Sequence, residues 1–525
     1  MDQLLLFAAF HALFIILLSL VLCIICRKKQ YYKKFKVKTI FIFVLEWVLS
    51  TLFILVSLHQ ISQFYYYSNL NIISSISIVL LGGVLISYIY LLFLKFRDSL
   101  EMIAVIFLIP IGLMFLFGVL PDYVPDEQAH FQRAYAVSNF RLDASLDVAI
   151  NSDYGIKKFS DFKDIFSYFY IDNNPSYAIY HEACSYNFLL YILPSIGLLI
   201  GRFFHFSLYI CYYLGRMCNL ALFIFFAYQS IHIIPKGKLI YSIFYFNPML
   251  LHLAASYSAD AMILSLCLYA IAYFFYLYNR KPTIHNKDIA IIISLIFIIA
   301  VSKVAYLPLF GIYFAYIPTL VKMDKNRWLF LASCVVLGFI YVLISLKLQE
   351  NAGVIASQAK YYKEANVDAN RQIQFILSNP SNLYVMFKHT FHVKIMYYFE
   401  TFISRLGWLE IYINIISFVG YYILLFVSVF IDKVKLNIGN RVWFFFVGLA
   451  IAAIVTLGLY LYWTPVGWLT AEGVQGRYFI PCAILFLLAI SNGWLSKLYR
   501  YKSYFIVLAL GINLLVVLDI LNYFI

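Results

Sequence analysis

Apolar runs of about 20 residues, long enough for a helix to cross some 30 Å of hydrocarbon, recur from Leu4 almost to Ile525. They predict an all-α integral membrane protein, a bundle of about fourteen transmembrane helices (twelve to fourteen). The expected spans are Leu4–Cys26, Thr39–Leu58, Asn71–Leu94, Met102–Leu120, Leu208–Ile234, Leu239–Ala255, Ala259–Tyr278, Ile289–Ser302, Tyr306–Val321, Trp328–Leu346, Ile411–Ile431, Val442–Tyr462, Tyr478–Leu495 and Tyr504–Ile525. The first run has no charged segment before it and no small-residue cleavage site after it, so it reads as a retained span.

Charge gives these spans a direction. Basic residues gather in short connections: Arg27 to Lys38, Lys95/Arg97, Lys236/Lys238, Arg280/Lys281, Lys322/Lys325/Arg327, Lys433/Lys435/Arg441 and Lys497/Arg500/Lys502. This is the positive-inside pattern, and it places those connections in the cytoplasm. Residues 121–185, which include Asp122, Asp126, Glu127, Asp143 and Asp147, then form an acidic loop on the outer side. A full crossing at Tyr186–Phe204 would move Lys236 and Lys238 outside, so that run reads as a membrane-dipping or juxtamembrane helix. A second outer loop covers 347–410 and lies partly on the membrane surface. Four regions follow: helices of 1–101, a core of 102–346 that includes the loop 121–185, the second loop 347–410, and carboxy-terminal helices of 411–525.

Composition agrees, with 64% hydrophobic and 12% charged residues and a mean hydropathy of +0.86. A soluble domain carries roughly a quarter charged residues. The net charge of +14 belongs to the connections and headgroup contacts rather than to nucleic acid. Six of the eight cysteines fall within spans and no metal or disulfide spacing appears. The 46 Tyr and 50 Phe are mostly interfacial and lipid-facing.

Polar groups at outer helix ends are the informative ones, because burying them costs several kcal/mol unless partners or water are at hand. In Pro121 to Tyr135, Pro125 suits the first turn of a helix. Asp126, His130 and Arg133 would then share one face, a base with its orienting partners; the alternative is acidic capping of the helix start. Arg477, within Val474-Gln-Gly-Arg-Tyr478, sits at an outer helix mouth against the positive-inside bias, suited to clamp a phosphate or else to pair with Glu472 or headgroups. Lys303 with Tyr306 reads as a second phosphate contact. Arg216 and Asn219 face Ser256 and Asp260, with an Arg216–Asp260 ion pair as the structural alternative. Glu46 has no assigned role.

These motifs resemble a family of uncharacterised bacterial multi-pass proteins grouped with the GT-C glycosyltransferases. The likeness rests on Pro125-Asp-Glu-x-x-His-Phe-x-Arg-Ala-Tyr135, Leu214-Gly-Arg-x-x-Asn219, Pro248-Met249 with Ser256 and Asp260, Lys303, Gly407-Trp-Leu409 and Val474-Gln-Gly-Arg-Tyr478. The resemblance implies an inverting transfer of sugar from a polyprenyl-phosphate donor to a cell-surface glycan or lipid-linked acceptor, with Asp126 or Glu127 as base. It implies donor contacts at Arg477, Lys303 and more weakly Arg216, and Gln475 and Tyr478 belong to the same motif. The setting would be the bacterial inner membrane, with the site facing the periplasm or cell exterior. No cofactor is expected, and a divalent metal is not indicated. Many GT-C proteins have one span before the acidic loop and this chain has more, so residues 1–101 read as an accessory module. The rival readings are an O-antigen or capsule polymerase, for which arginine-rich outer loops would be expected, and a lipid or polysaccharide transporter.

Overall fold

The structure is a computed structural model, and it describes residues 85–86, 88–143, 149–150, 171–172, 183, 186–280, 284–316, 325–349, 360, 362–434 and 436–524. The chain forms two compact units, Met1–Ser99 and Leu100–Ile525. Of the first, residues 88–94 carry the helical end of the span expected over Asn71–Leu94. The two preceding spans, Glu46 and most of the acidic loop lie outside the described residues.

The second unit is helical: α1 Leu100–Gly118, α2 Glu127–Ser138, α3 Ile192–Phe203, α4 Leu208–Ile233, α5 Lys238–Tyr245, α6 Pro248–Ala254, α7 Asp260–Arg280 and α8 Asn286–Ser302. A 3-10 helix at Val304–Tyr316 follows, then α9 Lys325–Gln349, α10 Ala369–Ser378 and α11 Ser381–Ile403. After these come α12 Ile415–Ile431, α13 Ile438–Tyr462, a 3-10 turn Gly476–Phe479, α14 Ile480–Ile490 and α15 Lys502–Phe524. Two antiparallel pairs of two-residue strands complete it, β1 Ala149–Ile150 with β2 Ile171–Asp172 and β3 Arg405–Leu406 with β4 Ile411–Tyr412.

Among the described residues six helical segments are long and apolar enough to cross a membrane: α1, α4, α7, α9, α13 and Ser496–Phe524. The chain is therefore a multi-pass membrane protein. Other expected spans are interrupted or short. Leu239–Ala255 is two helices, because Pro248 lacks a backbone N–H and disfavours helix at Asn247. The break leaves carbonyls without helical partners, and in an apolar bundle they must be satisfied locally. Asn513 Nδ2 donates to Phe246 O at 2.8 Å and the Tyr421 hydroxyl donates to Ile243 O at 3.3 Å. Pro308 lies within the 3-10 helix that replaces the start of Tyr306–Val321. The segment Tyr478–Leu495 becomes a 3-10 turn and an eleven-residue helix that stops at Ile490. Ile411–Ile431 opens on β4, and its helix starts only at Ile415, capped by the Asn414 side chain. The run Tyr186–Phe204 is a 3-10 turn and the twelve-residue α3.

Close packing sets the frame of the site. Gly197 and Gly201 on α3 abut α4 so tightly that a Cβ at either would overlap the Leu214 carbonyl or Cys211. Small residues permit such an approach, the usual device of helix pairs in lipid. At the start of α1, Lys238 Nζ reaches Glu101 at 3.5 Å, so α4 and α1 run antiparallel with Arg216 beside the far end of α1.

Candidate functional site

A helix that ends inside a bundle leaves its last carbonyls without partners. Here α1 ends at Gly118, and Arg216 on α4 donates to Leu116 O, Val119 O and Leu120 O at 3.1, 2.8 and 3.2 Å. The same guanidinium grips Glu127 through Nε at 2.8 Å and Nη2 at 2.5 Å. Glu127 also accepts from the backbone N–H groups of Asp122 and Tyr257, both at 3.1 Å. Both side chains have zero exposure, and the guanidinium lies over the Tyr212 and Tyr213 rings. Burying a charge is tolerable when it is paired and hydrogen-bonded, and this pair meets both conditions. The Arg216–Asp260 pair considered from sequence does not form.

The clamp sets Asp126. Helix α2 begins at Glu127, not at Pro125, and Asp126 stands before it in the left-handed region at φ 61°, with no side-chain capping bond. Its carboxylate is exposed while Glu127 is buried. Asp126, His130 and Arg133 therefore do not form one helical face. Arg133 is buried and turns to the backbone carbonyls of Asp143 and Leu142, where it tethers the chain after α2. His130 stays near Asp126. Its Nδ1 shares a 2.7 Å hydrogen bond with the Tyr191 hydroxyl, and its ring lies 5.6 Å from that of Tyr186. Burial lowers the imidazole pKa to about 4, against the opposing pull of Asp126 and Asp260, so it is neutral at pH 7. Asp122 moves the other way: burial first, then the Glu127 charge, raise its pKa to about 8.

Facing this loop is a cationic wall from later elements. Lys303 follows α8, and its ammonium meets Asp260 Oδ1 at 2.9 Å and lies over Tyr478 at 4.4 Å and Tyr306 at 5.4 Å. The Tyr306 hydroxyl donates to Tyr478 O at 3.2 Å. Arg477 sits on the 3-10 turn that Gly476 presses against the backbone of α11, where Gly476 N donates to Thr401 Oγ1 at 2.7 Å. Its residue exposure is 8%, and among the described residues Nε has no hydrogen-bond partner and the guanidinium bonds the Tyr478 hydroxyl at 3.4 Å. Glu472 is taken by Lys394 at 2.5 Å, so among the described residues Arg477 forms no ion pair. Asp126, Asp260, Lys303 and Arg477 all act electrostatically on His130, which marks one shared site.

The other sequence candidates serve the frame. Asn219 Nδ2 donates to Ser256 O at 2.7 Å and Ser258 O at 3.2 Å, and the Ser256 hydroxyl donates to Leu253 O at 2.8 Å. They shape the turn that delivers Asp260 to Lys303. Gln475 Oε1 is buried without a partner among the described residues, just before the turn of Arg477. Sequence reasoning passed over Tyr191, Tyr186 and His252. The last accepts from Gly407 N at 3.0 Å, while the Trp408 indole donates to Asp122 O at 2.9 Å. Only the Gly407-Trp-Leu409 motif pointed toward this contact. Among the described residues no three acidic, histidine or cysteine side chains converge as metal ligands.

No curated protein and no solved structure matches the chain. A family model described as a predicted membrane protein, DUF2142, matches residues 170–486. That stretch includes Arg216, Asn219, Asp260, Lys303 and Arg477, and Asp126, Glu127 and His130 precede it. The match spans more than half of the sequence, and the chain belongs to the DUF2142 family of predicted membrane proteins.

Proposed function

We propose that this protein is a GT-C-type glycosyltransferase that moves a sugar from a polyprenyl-phosphate donor to a cell-surface glycan or lipid-linked acceptor, with inversion. The carrying observation is that Asp126 is exposed and that Arg477, which acts on the same His130, is buried with no acidic partner among the described residues. Asp126 takes the proton of an acceptor hydroxyl as its oxygen attacks the anomeric carbon. The bond from that carbon to the phosphate oxygen breaks, and its electron pair stays on the phosphate. Fixed cations are worth most where such charge develops, and Arg477 and Lys303 are suited to that role. Neutral His130 is suited to orient the acceptor and not to hold the phosphate. Glu127, spent on Arg216, is a positioning group.

In this reading the interrupted segments are discontinuous crossings that bring the count to about fourteen. The basic connections face the cytoplasm and the site faces the periplasm or cell exterior. The broken helix α5–α6 is what a transporter would use to line a path, but its freed carbonyls are bonded to Asn513 and Tyr421, which favours a static core.

The test is incubation of the purified full chain in nanodiscs with a radiolabelled polyprenyl-phosphate sugar and an acceptor glycan. Transfer that Asp126→Asn abolishes supports the reading. Donor binding or flipping with no transfer by the unmutated protein sinks it.

A further inference from the structure

The hairpin after α11 carries groups that the reaction above does not use. Its strands, β3 and β4, hold Gly407, Trp408, Leu409 and Glu410 in the turn. Gly407 has φ 59° and Leu409 has φ 70°. A leucine in the left-handed region is strained, and such strain persists only where the surroundings impose it. The surroundings here are the acid loop. Gly407 lies so close to Tyr123 O that a Cβ would approach it to 3.2 Å, and the Trp408 indole N–H is fixed on Asp122 O at 2.9 Å.

The fixed indole is nonetheless 48% exposed, and Tyr412 across the turn is 60% exposed. A guanidinium flanks the Tyr412 ring. Arg405 lies over Tyr412 at 4.9 Å and bonds Glu400 through Nε at 2.7 Å. Glu410 is exposed and accepts from the Tyr523 hydroxyl at 2.8 Å. A membrane-belt tryptophan usually keeps its N–H for water or headgroups. Here the N–H is spent inside the protein and the ring remains accessible. Rigid aromatic faces beside carboxylate and guanidinium groups suit a pyranose, whose C–H face stacks on a ring while its hydroxyls bond in the ring plane.

We propose that the 405–412 hairpin is the acceptor subsite: Trp408 and Tyr412 stack on the sugar rings of a neutral glycan, Arg405 and Glu410 bond their hydroxyls, and the indole–Asp122 contact delivers the chain toward Asp126. The proposal rests on the transferase reading for the identity of that glycan as acceptor. It commits to a carbohydrate, not to a lipid surface.

The test presents the full chain in phosphatidylethanolamine–phosphatidylglycerol nanodiscs to an array of neutral hexose-containing oligosaccharides. The expected result is retention of at least one glycan, weakened about tenfold or more by Trp408→Ala and by Tyr412→Ala. Trp408→Phe, which keeps a ring and loses the N–H, should bind within about threefold of the unmutated protein. No retention above empty nanodiscs, or retention that ignores both alanine variants, overturns the proposal. So does tryptophan emission whose Trp408-dependent part, the part that Trp408→Phe removes, is quenched by brominated lipids and left unchanged by a retained oligosaccharide. Glycan retention with no transfer ever detected leaves the subsite standing and sinks the transferase reading, whereas transfer insensitive to Trp408→Ala does the reverse.

Discussion

Arg216, inside α4 beside the end of α1, and Arg477, on a 3-10 turn, are both buried arginines, yet the structure treats them oppositely. Arg216 spends its guanidinium on three carbonyls and a carboxylate with zero exposure. Among the described residues, Arg477 has one 3.4 Å hydrogen bond to a hydroxyl and an unpartnered Nε. The first arrangement holds a loop; the second holds a charge ready for something else. The acids divide in the same way, with Glu127 consumed by Arg216 and Asp126 held out beside the site. Residue type does not decide the role of a buried charge; the number of its donors or acceptors already spent does.

The sharpest way to break this comparison is through the acids. Asp126→Asn should lower transfer about 10²–10⁴-fold with an unchanged unfolding midpoint, whereas Glu127→Gln should cost about 3–5 kcal/mol of stability by leaving Arg216 uncompensated. Transfer assays and SDS unfolding in mixed micelles read the two quantities. If Glu127→Gln were stable and inactive while Asp126→Asn stayed active, the division of roles would be reversed.

The arginines come next. Arg477→Met should lower transfer about 10²–10³-fold, the usual loss when one stabilising donor of developing charge is removed. It should leave stability equal or raised, because an unpaired buried charge is exchanged for an apolar chain. Arg216→Met should unfold the protein more readily instead. Equal destabilisation by both substitutions would erase the contrast.

Two groups of the acid loop predict opposite pH limbs. His130 titrates near 4 when folded against 6.5 ordinarily, so its contribution is present above 6.5 and is lost as pH falls toward 4. Asp122 titrates near 8 against 3.8, so its contribution is present below 3.8 and is lost as pH rises toward 8. The two oppose each other between about 4 and 6.5, and above 6.5 Asp122 acts alone. The thermal midpoint should therefore fall from pH 6.5 to 8, and Asp122→Asn should flatten that limb and unmask the His130 rise in stability from about pH 4 to 6.5.

The smallest effect belongs to the part-exposed Lys394–Glu472 pair. Lys394→Met should change stability by about 0.2–1 kcal/mol. A matching loss of transfer would mean that Glu472 then captures Arg477.

Hydropathy alone located α1, α4 and α7 to within a few residues, because a run of Leu, Ile and Phe in lipid has only the helix to adopt. It overlooked the break at Asn247-Pro248, since the surrounding residues are as apolar as those of an unbroken span. Arg477, Lys303 and Asp260 were legible as candidates, being polar where the pattern is apolar. Arg216, Asn219 and Ser256 carry the same signal for a structural reason, and nothing local separates the two cases.

The sequence by itself determined the membrane bundle, its apolar segments and the short set of polar residues placed at their ends, because hydrophobic length and charge act locally along the chain. Tertiary structure alone decided which charges meet. Glu127 and Arg216 are 89 positions apart and Asp260 and Lys303 are 43, and their pairing follows from helix packing that no spacing rule encodes. That pairing is what leaves Asp126 exposed and Arg477 without an acidic partner among the described residues.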